Sequence, residues 1–229
     1  MGNNTVNVPV INLIDKILTF EPEQYAEAAA SEDLFTQTLL GFKENGFYLE
    51  IGSGDPDFYS TTQLFEKTYD WAGVSIEIDK DMHDRFTSER KNVCLNVDAF
   101  TVDYSSMLKE HNAPTQIDFL MIDAMKPLKA WVGPPHADLK SFEMLSMLPL
   151  DEYRFSVIVF KHDSYINDVQ GSDAKKKARS LLESKGYKLL LEDVSALPDQ
   201  YFPFEDYFID ASVITEENIL CLPTEQLKQ

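Results

Sequence analysis

Residues 46–57 read Gly46-Phe47-Tyr48-Leu49-Glu50-Ile51-Gly52-Ser53-Gly54-Asp55-Pro56-Asp57. A short apolar run carrying one acid ends in two glycines one residue apart, and two carboxylates follow at once. Glycine lacks a Cβ and tolerates positive φ, so Gly52 and Gly54 let the chain turn off a strand end with its backbone against a ligand. A loop that cradles a dinucleotide diphosphate wants a third glycine three residues after the second, and a helix N-terminus free of negative charge. Here that place is Asp57, with Asp55 close before it. Two like charges about 4 Å apart repel by roughly 4 kcal/mol at an effective dielectric of about 20. The loop is therefore expected to reject a phosphorylated guest and to accept a cationic nucleoside cofactor. S-adenosylmethionine, with a sulfonium, an ammonium and no phosphate, meets that requirement.

Upstream, helical spacing over residues 9–45 (Ile11, Leu13, Ile14, Ile17 and Leu18, then Leu34, Phe35, Leu39 and Leu40) stops at Asn45-Gly46. It predicts an N-terminal helical arm over 1–45, ahead of a domain over 46–229. Downstream, near-continuous apolar runs at 48–51, 73–78, 93–97, 117–122 and 155–160 read as strands, with helical stretches at about 80–90, 104–111, 138–148 and 173–185 between them. Ser60-Thr61-Thr62-Gln63 offers a capping box for a helix through Tyr69. Segments 186–191 and 207–214 supply two final strands. Strands buried on both faces and alternating with helices predict an α/β fold: a Rossmann-like, doubly wound, seven-stranded sheet, mostly parallel with the last strand antiparallel, and helices on both faces.

In such a sheet the ligand lies outside the carboxyl ends of the strands, where strand order reverses, so the residue that stops each strand is informative. Glu77 stops the second strand, Asp98 the third and Asp123 the fourth. A carboxylate ending the second strand can accept from both hydroxyls of a ribose. A lone acid after a strand is more often a helix cap or turn former, so Asp98 and Asp123 say little singly. The glycine loop together with Glu77 is the specific signal. Asp79-Lys80-Asp81 reads as a solvated helix start and Lys175-Lys176-Lys177 as a solvated helix face.

The chain has 229 residues and a formal charge of -19, from 20 Lys and Arg against 39 Asp and Glu. Length fits one domain with a sizeable core. Nucleic acid and anionic lipid both need a cationic surface, so neither is expected as a partner. Cys94 and Cys221 stand far apart with no histidine pair nearby, which speaks against a disulfide framework or a zinc site. The N-terminus has no cationic start followed by an apolar stretch, and no segment reaches the length of a membrane span. A cytoplasmic protein is expected, with a homo-oligomer left open.

Five stretches together resemble the FkbM-type S-adenosylmethionine-dependent methyltransferases: Gly46 to Asp55; Leu64-Phe65-Glu66-Lys67 with Trp71-Ala72-Gly73; Ser75-Ile76-Glu77; Ile117 to Asp123; and Tyr153 through His162, with Leu181 to Tyr187 behind. The resemblance spans about residues 31–210. It implies methyl transfer to a hydroxyl of a sugar, glycolipid or small metabolite. It also implies that Glu50, Gly52, Ser53 and Gly54, with Asp55 beside them, hold the methionine end of the cofactor. On the same basis Glu77 takes the ribose, Asp98 and Ala99 take the adenine, and Asp123 faces the reaction centre. The chain departs from the family where Ala124 and Lys126 follow Asp123 and where Lys161 precedes His162.

Methyl transfer to a hydroxyl needs alignment, worth about 7–11 kcal/mol, and a proton acceptor, worth about 10²- to 10⁴-fold. His162, at a strand end and titrating near neutrality, is the first candidate base. Asp123 is expected to orient it or, with Asp163, to hold a divalent metal, although two carboxylates alone do not make a metal site. Lys126 and Lys161 are candidates for an anionic acceptor. They also motivate a rival, a catalytically silent binding or assembly module. A second rival, an NAD-dependent oxidoreductase, is disfavoured by Asp55 and Asp57.

Overall fold

The computed structural model describes residues 31–123, 140–165, 168–195 and 203–220. In chain order these form α1 (Glu32–Leu39), β1 (Phe47–Ile51), α2 (Gln63–Tyr69), β2 (Ala72–Ile76), α3 (Lys80–Glu89), β3 (Val93–Leu95), a 3-10 turn (Ala99–Thr101), α4 (Tyr104–Glu110) and β4 (Gln116–Ile122). They continue with α5 (Ser141–Met147), β5 (Arg154–Lys161), α6 (Asp168–Ser184), β6 (Tyr187–Val194), β7 (Glu205–Asp210) and α7 (Glu216–Leu220). The strands make one sheet in the order β3-β2-β1-β4-β5-β7-β6. Six run parallel, and β7 alone is antiparallel to its neighbours β5 and β6.

Strand order reverses between β1 and β4, and the register there sets the site. Ile51 pairs with Ile76 on one side and Ile122 on the other. Gly52, Glu77 and Asp123 are therefore the next residues along one common edge. Ile122 in turn pairs with Phe160, which brings Lys161 alongside Asp123.

Each central strand is buried on both faces, which is why its sequence is a continuous apolar run. Leu49, Ile51, Leu120 and Ile158 face a core closed by Leu108 of α4, Met144 and Leu145 of α5, and Ala178 and Leu182 of α6. Tyr48, Phe119, Met121 and Val157 face a second core closed by α1 and α2. Each such side chain removed from water contributes about 1.5–3 kcal/mol. The second core explains residues 31–45 of the expected arm. Leu34, Phe35 and Leu39 are buried in it, with the Phe35 ring 4.7 Å from that of Tyr207. Residues 1–30 lie outside the described residues.

Three local expectations fail for identifiable reasons. The final strand stops at Asp210, not at Ile214, because the Asp210 carboxylate accepts from the Ser212 N–H (3.0 Å) and hydroxyl (2.7 Å) and turns the chain. Thr62 precedes α2 without a side-chain cap; its hydroxyl donates to Glu50 (3.0 Å) instead. Lys175 is no solvated helix face, since its ammonium reaches Asp193 Oδ1 at 2.5 Å in a largely buried pair.

Candidate active site

The β1 exit is shaped by contact, and glycine is required there. Gly52 has φ 82°, and a Cβ on it would overlap the carbonyl oxygen of Asp123 across the sheet. The Asp123 N–H donates to the Ile51 carbonyl (2.9 Å), so β1 and β4 stay joined to their last residue. Gly54 has φ 59° and nothing near the place of its missing Cβ, so the loop opens on space there. Glu50, one residue inside the strand, is almost fully buried and accepts on Oε2 from Ser75 (2.6 Å) and Thr62 (3.0 Å). Burial raises its carboxyl, against the pull of Ser75 and the Arg90 charge.

The loop amides are already committed within the protein. Gly52 and Ser53 both donate to the Ile76 carbonyl (2.9 and 3.2 Å), and Gly54 donates to Glu77 Oε2 (2.8 Å). A diphosphate cradle needs such amides free, at a helix N-terminus; here α2 begins only at Gln63. Glu77 uses its other oxygen to accept from the Asp79 N–H (2.7 Å). With one bond on each oxygen, the carboxylate keeps acceptor capacity for two further hydroxyls.

Asp55 and Asp57 do not act as the sequence led us to expect. Asp55 accepts from the Phe58 and Asp57 N–H groups, which hold its carboxyl below the ordinary range, and pairs with Arg85. Asp57 accepts from Gln63 (2.7 Å) and lies 3.8 Å from the Lys67 ammonium. Both acids shape the loop and carry neighbouring counter-charges, so their repulsion gives no strong argument against a phosphate; the amides that would hold one are instead already committed. The loop is fastened from beneath by Arg90, whose fully buried guanidinium meets Glu66 (3.1 Å), Pro56 O (3.2 Å), Ser60 (3.0 Å) and Thr62 (3.2 Å). Sequence reading missed this arginine.

At the β3 exit, Asp98 caps the 3-10 turn by accepting from the Phe100 N–H (3.0 Å) and stays exposed, with Ala99 half-buried behind it. The Asn96 amide donates to the carbonyls of Glu77 (2.9 Å) and Ile78 (3.2 Å) and ties the β2 and β3 exits together. Ile78 is 50 % exposed and Val97 37 %. Two exposed apolar side chains beside Glu77 suit the face of a purine, and neither was singled out from the sequence.

On the β4 and β5 side, Asp123 is half-buried and its Oδ2 lies 3.3 Å from the Lys161 ammonium. Lys161 also lies 3.9 Å from Glu32 Oε1, on α1. Burial acts to lower the lysine, but Asp123, Glu32, Glu205 and Asp163 outweigh it and hold Lys161 above its ordinary range. Asp163, at φ 48°, is pushed up to about 7 by burial and by Asp123, against the pull of Lys161. An ammonium therefore stands among the carboxylates where a metal pair of Asp123 and Asp163 was considered. Lys126 lies outside the described residues.

His162 is not brought to this rim. Neighbouring residues of a strand point to opposite faces, and His162 leaves Lys161 for the side of β6, β7 and α6. Its ring is completely buried; Nδ1 accepts from the Ser164 N–H (3.2 Å), and Nε2 faces Asp193 (3.5 Å) and Asp206 (3.6 Å). A base must reach its substrate, so the role expected of His162 is withdrawn. His162, Asp193 and Asp206 are also the one ligand-like trio among the described residues. Lys175 and Arg179 already pair with its carboxylates (2.5 and 2.7 Å), so those two cations take the place of a metal there.

No family model matches this sequence, and neither does any curated protein. Solved structures do. A candidate rRNA methylase from Clostridium thermocellum superposes with a TM-score of 0.52 at 11% identity, covering 82% of this chain and 98% of its own. Cofactor-bound Rv0187 from MTB gives a TM-score of 0.51 at 13% identity, covering 87% of each chain. At such identities the likeness shows the fold, which this chain shares with both. Among the described residues no helix is long and apolar enough to cross a membrane.

Proposed function

We propose that the protein is an S-adenosylmethionine-dependent methyltransferase acting on a hydroxyl of a small polar or glycosidic acceptor. One observation carries the reading: the three amides of the glycine loop are spent on Ile76 O and Glu77, while the largely buried Glu77 carboxylate, with one bond on each oxygen, retains acceptor capacity for a ribose diol. The loop is thus built for a nucleoside without a diphosphate. Glu50 and the loop from Gly52 to Gly54 are assigned to the methionine end, Glu77 to the ribose, and Ile78, Val97 and Asp98 with Ala99 to the adenine. Bound there, S-adenosylmethionine supplies an electrophilic methyl group. The fold shared with the candidate rRNA methylase from Clostridium thermocellum agrees with methyl transfer, although that protein is named for an RNA acceptor and, at 11% identity, its acceptor does not carry over to this chain.

Asp123 is assigned to the acceptor side, where its carboxylate accepts the hydrogen bond of the incoming hydroxyl, aligns it, and takes its proton as the methyl group passes from the sulfonium to the oxygen and S-adenosylhomocysteine is left. The charge of -19 favours a small acceptor over nucleic acid. Transfer of labelled methyl to a panel of sugars, glycolipid headgroups and small alcohols, with structured RNA in parallel, tests this. Label on a hydroxyl acceptor and none on RNA is expected, with Asp123→Asn losing turnover while keeping cofactor affinity. Label on RNA alone would overturn the acceptor. Cofactor binding without turnover on any acceptor would favour the silent module.

A further inference from the structure

The two most exposed large apolar side chains among the described residues are neighbours in the chain, Phe58 at 67 % and Tyr59 at 62 %. Their ring centroids lie 4.0 Å apart at an interplanar angle of 52°, so the two rings form one aromatic surface. They stand four and five residues beyond Gly54, and the reach of the chain keeps them within about 18 Å of the glycine loop.

The backbone beneath them is pinned. Asp55 accepts from the Asp57 and Phe58 N–H groups (3.0 Å each) and pairs with Arg85 of α3. Gln63 of α2 donates to the Pro56 carbonyl (3.3 Å) and to Asp57 (2.7 Å), and Arg90 donates to Pro56 O (3.2 Å) and Ser60 (3.0 Å). Tyr59 itself has φ 57°, a left-handed conformation that strains a residue with a side chain. Backbone strain of this kind gathers at ligand sites. The loop thus gives up stability to hold two large rings in water.

Area and charge narrow the occupant. An aromatic side chain offers about 150–250 Å², so the exposed part of the pair comes to roughly 200–300 Å². Each side of a stable protein interface contributes about 800 Å², so a second copy or another folded protein would find too little here. The net charge of -19 disfavours nucleic acid and self-association alike. Locally the acids are matched, Asp55 by Arg85 and Asp57 by Lys67 at 3.8 Å, so the ground around the rings is near neutral. Asp57 is exposed, and a carboxylate has about four acceptor positions, which leaves capacity for hydroxyl donors. A small neutral ring with an apolar face and hydroxyls at its edge meets these conditions.

We propose that Phe58 and Tyr59 are a stacking platform for a neutral sugar ring whose hydroxyls donate to Asp57, so that the acceptor is a neutral glycan gripped by a ring other than the one that reacts. The acceptor role rests on the methyltransferase reading above; the sugar site does not.

An array of neutral and anionic glycans, read with the wild type and with the double variant Phe58→Ser, Tyr59→Ser, tests this, with calorimetry on each glycan retained. The wild type should retain neutral glycans, and the double variant should bind them about 10- to 100-fold more weakly. Because both side chains are exposed, the variant should melt with the wild type and keep its affinity for S-adenosylhomocysteine. Retention of no neutral glycan, retention indifferent to the double variant, or retention of anionic glycans alone would each overturn the proposal. So would a dimer that the double variant dissolves, which would assign the rings to a second copy. Neutral glycans bound through the pair by a protein that ignores S-adenosylhomocysteine would leave the platform standing and remove the methyltransferase reading alone.

Discussion

The two halves of the rim are built on opposite principles. Around β1, β2 and β3 the amides and acids of the glycine loop are matched, amides to Ile76 O and Glu77, Asp55 to two N–H groups and Arg85, and Arg90 beneath them to four acceptors, while the buried Ser53 hydroxyl has no hydrogen-bond partner among the described residues. Around β4 and β5 the Lys161 ammonium interacts with four acidic side chains, and among the described residues the buried oxygens Asp163 Oδ2 and Glu205 Oε2 lack a hydrogen bond. A satisfied network is rigid and specifies one geometry. A nest that is partly satisfied stores electrostatic cost, as functional sites often do. On the proposed reading the cofactor half resembles a largely finished mould, and the acceptor half a site held under charge.

Breaking the mould should have the largest effect. Arg90→Met leaves Glu66 buried without its partner and cuts the loop from its support, for an expected loss of about 3–5 kcal/mol in denaturant unfolding. Gly52→Ala combines a positive φ with an overlap against the Asp123 backbone. It should cost about 2–4 kcal/mol and abolish cofactor binding even where the protein remains folded. If either variant proves neutral, the matched half is not the rigid element described here.

Relieving the nest should have a smaller effect of opposite sign. Asp163 titrates at its ordinary low value when unfolded and at about 7 when folded, because of burial and Asp123. The folded state therefore loses stability as pH climbs between those values and stays penalised above the upper one. Asparagine carries no such penalty. Asp163→Asn should melt about 2–4 °C above the wild type beyond about pH 7, with the difference closing toward about pH 4. An Asp163→Asn curve parallel to the wild type across that range would contradict the electrostatic account.

The same contrast explains what could be read in the sequence. Strands β1, β2, β4 and β5 were legible because burial on both faces leaves an unbroken apolar run, and the convergence of Gly52, Glu77 and Asp123 follows once those runs are set in parallel register. Arg90 and Lys161 were not legible in their roles. Arg90 acts on residues 56–66, and Lys161 gathers acids from α1 and β7; neither pattern has a local spacing. Thr62 misled because a hydroxyl before a helix usually caps it, whereas tertiary contact gave this one to Glu50. Asp55 and Asp57 misled because their charge was counted before their partners were known. His162 was placed by its position at a strand end, but the alternation of side chains carries it to the buried side.

The central claim is that this glycine loop serves a nucleoside without a diphosphate, with Glu77 on its ribose. Calorimetric titration of the wild type and of Glu77→Ala with S-adenosylhomocysteine and with NAD tests it most directly. The wild type should bind S-adenosylhomocysteine and not NAD, and Glu77→Ala should weaken that binding by about 10- to 100-fold. Binding of NAD in preference, or an affinity for S-adenosylhomocysteine that Glu77→Ala leaves unchanged, would contradict it.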